Sequence, residues 1–281
     1  MNIALNFIRL KTMPNTLRLS GDRVFRLGGL LDLDGRVSWA PAGARGSQPL
    51  SCYLIRGAHG AVLIDTGARL HEEVILDQLD ALLPHDADLS VLLTRTEMDC
   101  CLNIPAIEAR RPVRSVFYTG GITVPRSHAE AQRIAVEDGR PLALQAGADV
   151  TLRIFAPRLR LLPTLWPFDA ESGVLFTSDS FAHARCGGPA GERFAGLVVR
   201  ETGREVDPAA IQAQMMTKFS WLGGTDTRPI AADVKAIFED CDGLGSAVRT
   251  LAPTHGLMFQ GHEVVDEQRE LMVEQIVKAG R

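Results

Sequence analysis

Two series of short apolar runs, each giving way to segments of helical period, constrain this 281-residue chain more than any other feature of its sequence. The first series covers residues 23–27, 37–39, 50–56 and 61–65, and the turn residues 57–60 make its last two runs a hairpin. Leu70, Val74, Ile75, Leu79, Leu82 and Leu83 then recur at helical spacing up to Pro84, whose ring cannot continue the backbone ladder. An apolar run at 89–93, a helix-like stretch at 104–109, a strand at 115–118 and a helix after Pro125 alternate as in an α/β layer. The second series is 151–155, 159–162 and 173–177. It is followed by a helix opened by Asp207 and Pro208, a cap and first-turn pair, running to about Trp221, and by another after Pro229. Residues 248–251 read as a last strand, and Val264, Val265, Gln268, Leu271, Met272 and Ile276 as a closing helix. Residues 181–207, rich in glycine and charge, read as a long excursion. The pattern predicts an α/β chain of two sheets packed face to face with helices outside. No linker divides it, so the expected organisation is an N-terminal tail at 1–20 and a single domain at 21–281.

Composition removes several function classes. Lys and Arg number 30 against 34 for Asp and Glu, a net charge of −4, with no block of like charge, so no electrostatic footprint for nucleic acid is visible. No stretch approaches the roughly 20 uninterrupted apolar residues a membrane span needs. Five cysteines, an odd number, and an arginine inside the first apolar stretch predict reduced thiols and a cytoplasmic protein.

Metal-type donors gather at strand ends, where α/β sheets build sites. They occur in TRTEMDCC (Thr94 to Cys101) after the run at 89–93, in LFTSDSF around Asp179, and in APTHG around His255. PTLWPF, around Leu165, joins the series through its Trp-Pro pair. Together with LIDTG (Leu63 to Gly67), GLLDLDG, LSCYLIRG, KFSWL (Lys218 to Leu222) and APTHGLMF, these segments resemble the metallo-β-lactamase fold superfamily over roughly residues 23–275. Within it they resemble the oxygen-binding di-iron, flavodiiron-type branch. The resemblance implies an αββα sandwich of two mixed sheets and a homodimer, with no flavodoxin domain expected after Arg281.

The ligand pattern of that branch is H-x-E-x-D-H, a His before Trp-Pro, a bridging Asp and a His before Gly. Here those positions hold Arg95, Glu97, Asp99 and Cys100, then Leu165, Asp179 and His255. The first metal position, at Arg95, Glu97, Leu165 and Asp179, contains a cation and a hydrocarbon. The second, at Asp99, Cys100, Asp179 and His255, keeps four groups able to donate to iron or zinc. Glu97, Asp99 and Asp179 bring three negative charges, which Arg95 and one divalent ion would balance. The expected arrangement is therefore one Fe or Zn at the second position, with Arg95 clamped between Glu97 and Asp179. Asp65 resembles the Asp that ties loops together by hydrogen bonds. Trp166, Phe168, Phe181, His183 and His262 are candidate pocket-lining residues.

Cys52, Cys186 and Cys241 lack ligand-type spacing and read as structural, and His59, His71, His85 and His128 read as solvated. Three functions stay open. One is an oxidoreductase acting on dioxygen or another small molecule, which would need an external electron donor because no flavin module or Cys array is present. Another is a metal-dependent hydrolase of an ester, thioester or phosphodiester. The third is a non-catalytic, metal-free module that binds a small molecule or serves structurally, with Arg95 in an ion-pair network.

Overall fold

A computed structural model describes residues 16–280 except 36, 121–125, 138, 188–195 and 204–206. Strands β1 (Leu17–Ser20), β2 (Val24–Asp32), β3 (Ser47–Arg56) and β4 (Ala61–Ile64) open the chain, followed by helix α1 (Glu72–Leu82) and β5 (Leu89–Leu92). The short helix α2 (Met98–Cys101), α3 (Ile104–Arg110), β6 (Ser115–Tyr118) and β7 (Glu130–Arg133) complete the first half. The second half contains β8 (Leu142–Gln145), β9 (Thr151–Phe155), β10 (Trp166–Asp169), β11 (Val174–Ser178) and β12 (Val198–Val199). It ends with α4 (Pro208–Lys218), a 3-10 turn at Ser220–Gly224, α5 (Arg228–Gly243), β13 (Thr250–Pro253), β14 (Met258–Gln260) and α6 (His262–Ala279).

The strands form two seven-stranded sheets, one in the order β1-β2-β3-β4-β5-β6-β7 and the other β12-β14-β13-β11-β10-β9-β8. Both are mixed. In the first, β1 to β4 form an antiparallel meander and β4 to β7 run parallel. In the second, β11 pairs parallel with β13, while β8 to β11 are antiparallel. Side-chain alternation explains why the apolar runs are continuous, since both faces of these strands are covered. Tyr53 and Ile55 of β3 point into the core shared with Trp166, Phe168, Val174 and Phe176 of the opposite sheet, which extends to Val234, Phe238 and Met272 of the outer helices. Their neighbours Cys52 and Leu54 point the other way, onto Ile75 and Leu79 of α1 and Ile104 and Ile107 of α3.

Several local expectations need correction. Residues 17–20, assigned to the tail, pair with β2 as a strand, and 37–39 form no strand, with 38 and 39 in a turn. Where a helix was expected after Pro125, residues 130–133 form the exposed edge strand β7, and residues 121–125 lie outside the described set. Residues 159–162 form a loop instead of a strand, bounded by Pro157 and Pro163. Part of the excursion at 181–207 falls outside the described residues. His71 is buried rather than solvated, with Nε2 3.0 Å from the Leu30 carbonyl oxygen.

Candidate functional site

The C-terminal ends of β5, β11 and β13 converge between the two sheets. Asp65, just past β4, ties this junction: it accepts from the Thr94 backbone N–H and Oγ1, each at 2.8 Å, and from Thr254 Oγ1 at 3.2 Å. Burial pushes its carboxyl up to about 6 against the downward pull of Arg95 and these donors. His255 is fixed by backbone pairing with the start of β3, where Gly256 N–H donates to Pro49 O at 3.0 Å and Ser51 N–H to Thr254 O at 2.8 Å. Gly256 has φ +95°, and a Cβ there would meet the Ala184 carbonyl oxygen at 2.9 Å, so the residue after His255 has to be glycine.

Arg95 lies at the centre of the cluster, with 1% of its side chain exposed. Its Nε donates to Glu97 Oε2 at 3.1 Å, its Nη1 to Ser178 Oγ at 2.8 Å and its Nη2 to Asp99 Oδ2 at 2.5 Å. The same Nη2 lies 2.9 Å from Asp179 Oδ1. Arg160 bridges Asp179 and Glu97, and Lys218 Nζ lies 3.2 Å from Asp179 Oδ2. His255 Nε2 is 2.6 Å from Asp99 Oδ2 and its Nδ1 3.3 Å from Asp179 Oδ1. Three cations thus face three carboxylates.

The fields are correspondingly strong. Burial alone would lower the Arg95 pKa, but Asp179 and Asp99 hold it well above the usual arginine range. Burial raises the Asp99 carboxyl, and Arg95, His255 and Lys218 more than offset this, leaving it far below the carboxylate range. Asp179 is brought down to about 2 against its own burial, by Arg95, Lys218, His255 and Arg160. Cys100 is buried, its thiol driven well up by desolvation, with Sγ 3.7 Å from Asp99 Oδ1.

Above this floor opens a cavity of about 960 Å³, bordered by Glu97, Asp99, Lys218 and His255 below and by Trp39, Met98, Leu102 and Pro105 at the sides. Trp39 stacks on His255 with ring centroids 4.9 Å apart, and Lys218 Nζ lies 5.8 Å from the Trp39 ring centroid.

No family model and no curated protein sequence matches the chain. Solved structures do. Rubredoxin oxygen:oxidoreductase from Desulfovibrio gigas superposes with a TM-score of 0.61 at 17% identity, over 94% of this chain and 61% of that one. The Flv1 flavodiiron core from Synechocystis sp. PCC6803 gives 0.64 at 17%, over 94% and 60%. The chemotaxis sensor ODP from T. denticola gives 0.59 at 12%, over 92% of each. This is the metallo-β-lactamase-like fold. The chain spans about three fifths of the first two proteins.

On the metallo-β-lactamase-like scaffold, the donor set can be tested against the ion the fold implies. At the first metal position Arg95 is a cation, and Leu165 is buried in the main core, its backbone N–H donating to Thr94 O at 2.8 Å. At the second, ligand atoms of Asp99, Asp179 and His255 lie within 4.8 Å of one another. The nearest oxygens of Asp99 and Asp179, however, already flank Arg95 Nη2, and Asp99 Oδ2 also meets His255. An ion fits there only if the guanidinium leaves.

Of the pocket-lining candidates, none borders the large cavity. Trp166 and Phe168 are core residues, and Phe181 packs on Trp166 with centroids 5.9 Å apart. Phe181 and His183 border a separate void of about 10 Å³ beside Asp179 and Lys218. His262 is exposed at the start of α6 and pairs with Asp266 at 2.6 Å. Sequence reasoning missed Arg160, Lys218 and Trp39. The available signal was the charge arithmetic: two negative charges left over after Arg95 can be met by two side chains as well as by one divalent ion.

Proposed function

We propose that this chain is a metal-independent binding protein, in which the di-metal centre of its fold has become a buried ion-pair network that floors a small-molecule cavity. The observation that carries this reading is the position of Arg95 Nη2, 2.5 Å from Asp99 Oδ2 and 2.9 Å from Asp179 Oδ1. A guanidinium nitrogen between the two carboxylates supplies the charge that an ion would otherwise bring. Arg160 and Lys218 then complete neutrality, since three carboxylates clustered without matching cations would be driven to protonate. Protein purified anaerobically and without a tag is expected to carry no stoichiometric Fe, Zn or Mn, and its melting temperature to be unmoved by a chelator. One tightly held ion per chain, with a melting temperature that falls on chelation, overturns the proposal.

A second reading is a single Fe or Zn held by Asp99, Cys100, Asp179 and His255. It is favoured by the spacing of the three donors other than Cys100, and by Asp179 Oδ1 and His255 Nδ1, which are buried with ion-pair contacts but no directed hydrogen bond among the described residues. Under it the oxidoreductase function needs an external electron donor. The hydrolase function needs a nucleophilic water at the first position, where Arg95 and Leu165 stand. The same elemental analysis separates the two readings.

A further inference from the structure

The cavity brings exposed cations, exposed apolar side chains and a buried ion-pair cluster together on one lining. At the rim are two cations, Arg69, whose side chain is 65% exposed, and the exposed Arg126. Arg69 is paired with Glu72 at 3.5 Å, so the rim carries a net single positive charge. Along the sides, Met98 is 75% exposed and Leu102 39% exposed, large apolar surfaces that are costly to leave in water beside Trp39 and Pro105. At the floor the charges are largely matched, with His255 Nε2 on Asp99 and Lys218 on Asp179, while Asp179 Oδ1 and His255 Nδ1 are left without a directed hydrogen bond among the described residues. A ligand with a polar inner end would have to break these pairs.

Resting on the reading of the site as a binding cavity, we propose that its ligand is a monoanionic amphiphile: an apolar chain or ring lying against Trp39, Met98 and Leu102, ending in a carboxylate held at the rim by Arg69 and Arg126. The cavity volume of about 960 Å³ is at the upper end of the range for small-molecule sites. Guanidinium groups match a carboxylate through paired N–H donors, and a single excess charge at the rim favours a monoanion over a multiply charged phosphate.

The test is calorimetric titration of the full chain with decanoate, decanol and decyltrimethylammonium, each below its micellar concentration. Decanoate is expected to bind saturably, decanol more weakly and the cation weakest. Arg69→Ala/Arg126→Ala, two exposed positions outside the ion-pair network, is expected to weaken decanoate by roughly tenfold or more and to leave decanol unchanged. Met98→Ser is expected to weaken decanoate and decanol alike. The ligand assignment is overturned if decanoate shows no saturable binding, if decanol binds as tightly, or if the double arginine variant binds decanoate as the wild type does. Metal analysis fails independently of this result: a stoichiometric ion with the expected binding order removes the metal-independent reading and keeps the ligand class, and the converse outcome does the reverse.

Discussion

Removing one partner of a buried ion pair costs more than the pair contributes, because the charge left behind has no water to turn to. Arg95→Met therefore strands Asp99 and Asp179, and a loss of about 3–5 kcal/mol is expected in urea unfolding. Arg95→Lys recovers only part of this, because one ammonium cannot span Glu97, Asp99, Asp179 and Ser178 together. Two other buried groups set opposing pH trends. His183 bonds Gln268 Oε1 at 2.9 Å and is lowered by burial to about 4, so its unfolded form takes a proton first and stability falls as pH drops from about 6.5 to 4. Asp65, raised to about 6, does the reverse: its folded form holds the proton longer, so stability falls as pH rises from about 4 to 6. Asp65→Asn should leave stability rising with pH by about 3 kcal/mol, and His183→Gln should leave it falling by a similar amount, as read by denaturation at stepped pH. Below pH 4, Asp179, with its carboxyl at about 2, takes over, and its contribution drains away as pH falls toward 2. At this scale Arg95, the three carboxylates and His255 were legible because each stands in an ordered motif. Arg160 was not, because its partner Glu97 is 63 residues away and the intervening chain carries no periodic mark of that contact.

Elements with one strong period were legible, and those whose character depends on neighbours were not. The spacing from Leu70 to Leu83 ending at Pro84 corresponds to α1, and Asp207 caps α4 through Oδ1 on the Ala209 N–H at 2.9 Å, as its place before Pro208 predicts. In contrast, β7 is exposed at all four residues and exists because it pairs with β6, which no local propensity reveals. The run 159–162 alternates like a strand, yet prolines on both sides hold it out of the sheet, and Arg160 is thereby free of a ladder and able to reach the site. Close approach between β2 and β3 gives a sharp test at this scale. Gly28 has φ +101°, its N–H is bonded to Gln78 Oε1 of α1 at 2.8 Å, and a Cβ there would run into the Leu50 carbonyl oxygen. Gly28→Ala is expected to cost upwards of about 3 kcal/mol in thermal unfolding. Gly43→Ala, also left-handed but with nothing within 4 Å of the added Cβ, should cost only about 1 kcal/mol.

The two-sheet architecture was legible because strands buried on both faces leave uninterrupted apolar runs, and because those runs fall in two series separated by helices. What the cluster would hold was not legible at this scale, since a site built from β5, β11, β13, the β9–β10 loop and α4 depends on distances that only the assembled fold sets. One apolar core runs from Val24 and Tyr53 in the first sheet through Trp166 to Phe238 and Ile276 in the outer helices. Loss of either sheet exposes the other. Unfolding followed by tryptophan emission and by far-ultraviolet circular dichroism is accordingly expected to give coincident transitions, and separated midpoints would show that the halves melt apart.

The ion-pair network also bears on how long a folded molecule lasts. Asp99 and His255 are 156 residues apart, and Glu97 and Arg160 are 63 apart, so their meeting must await closure of long loops. In a half-assembled chain each of these charges is hydrated and gains nothing from a partner not yet in place. Their mutual attraction is then absent from the folding barrier and present almost wholly in the barrier to escape. Loss of Arg160 should therefore be felt as a shortened lifetime of the native molecule, with the rate at which it folds little changed.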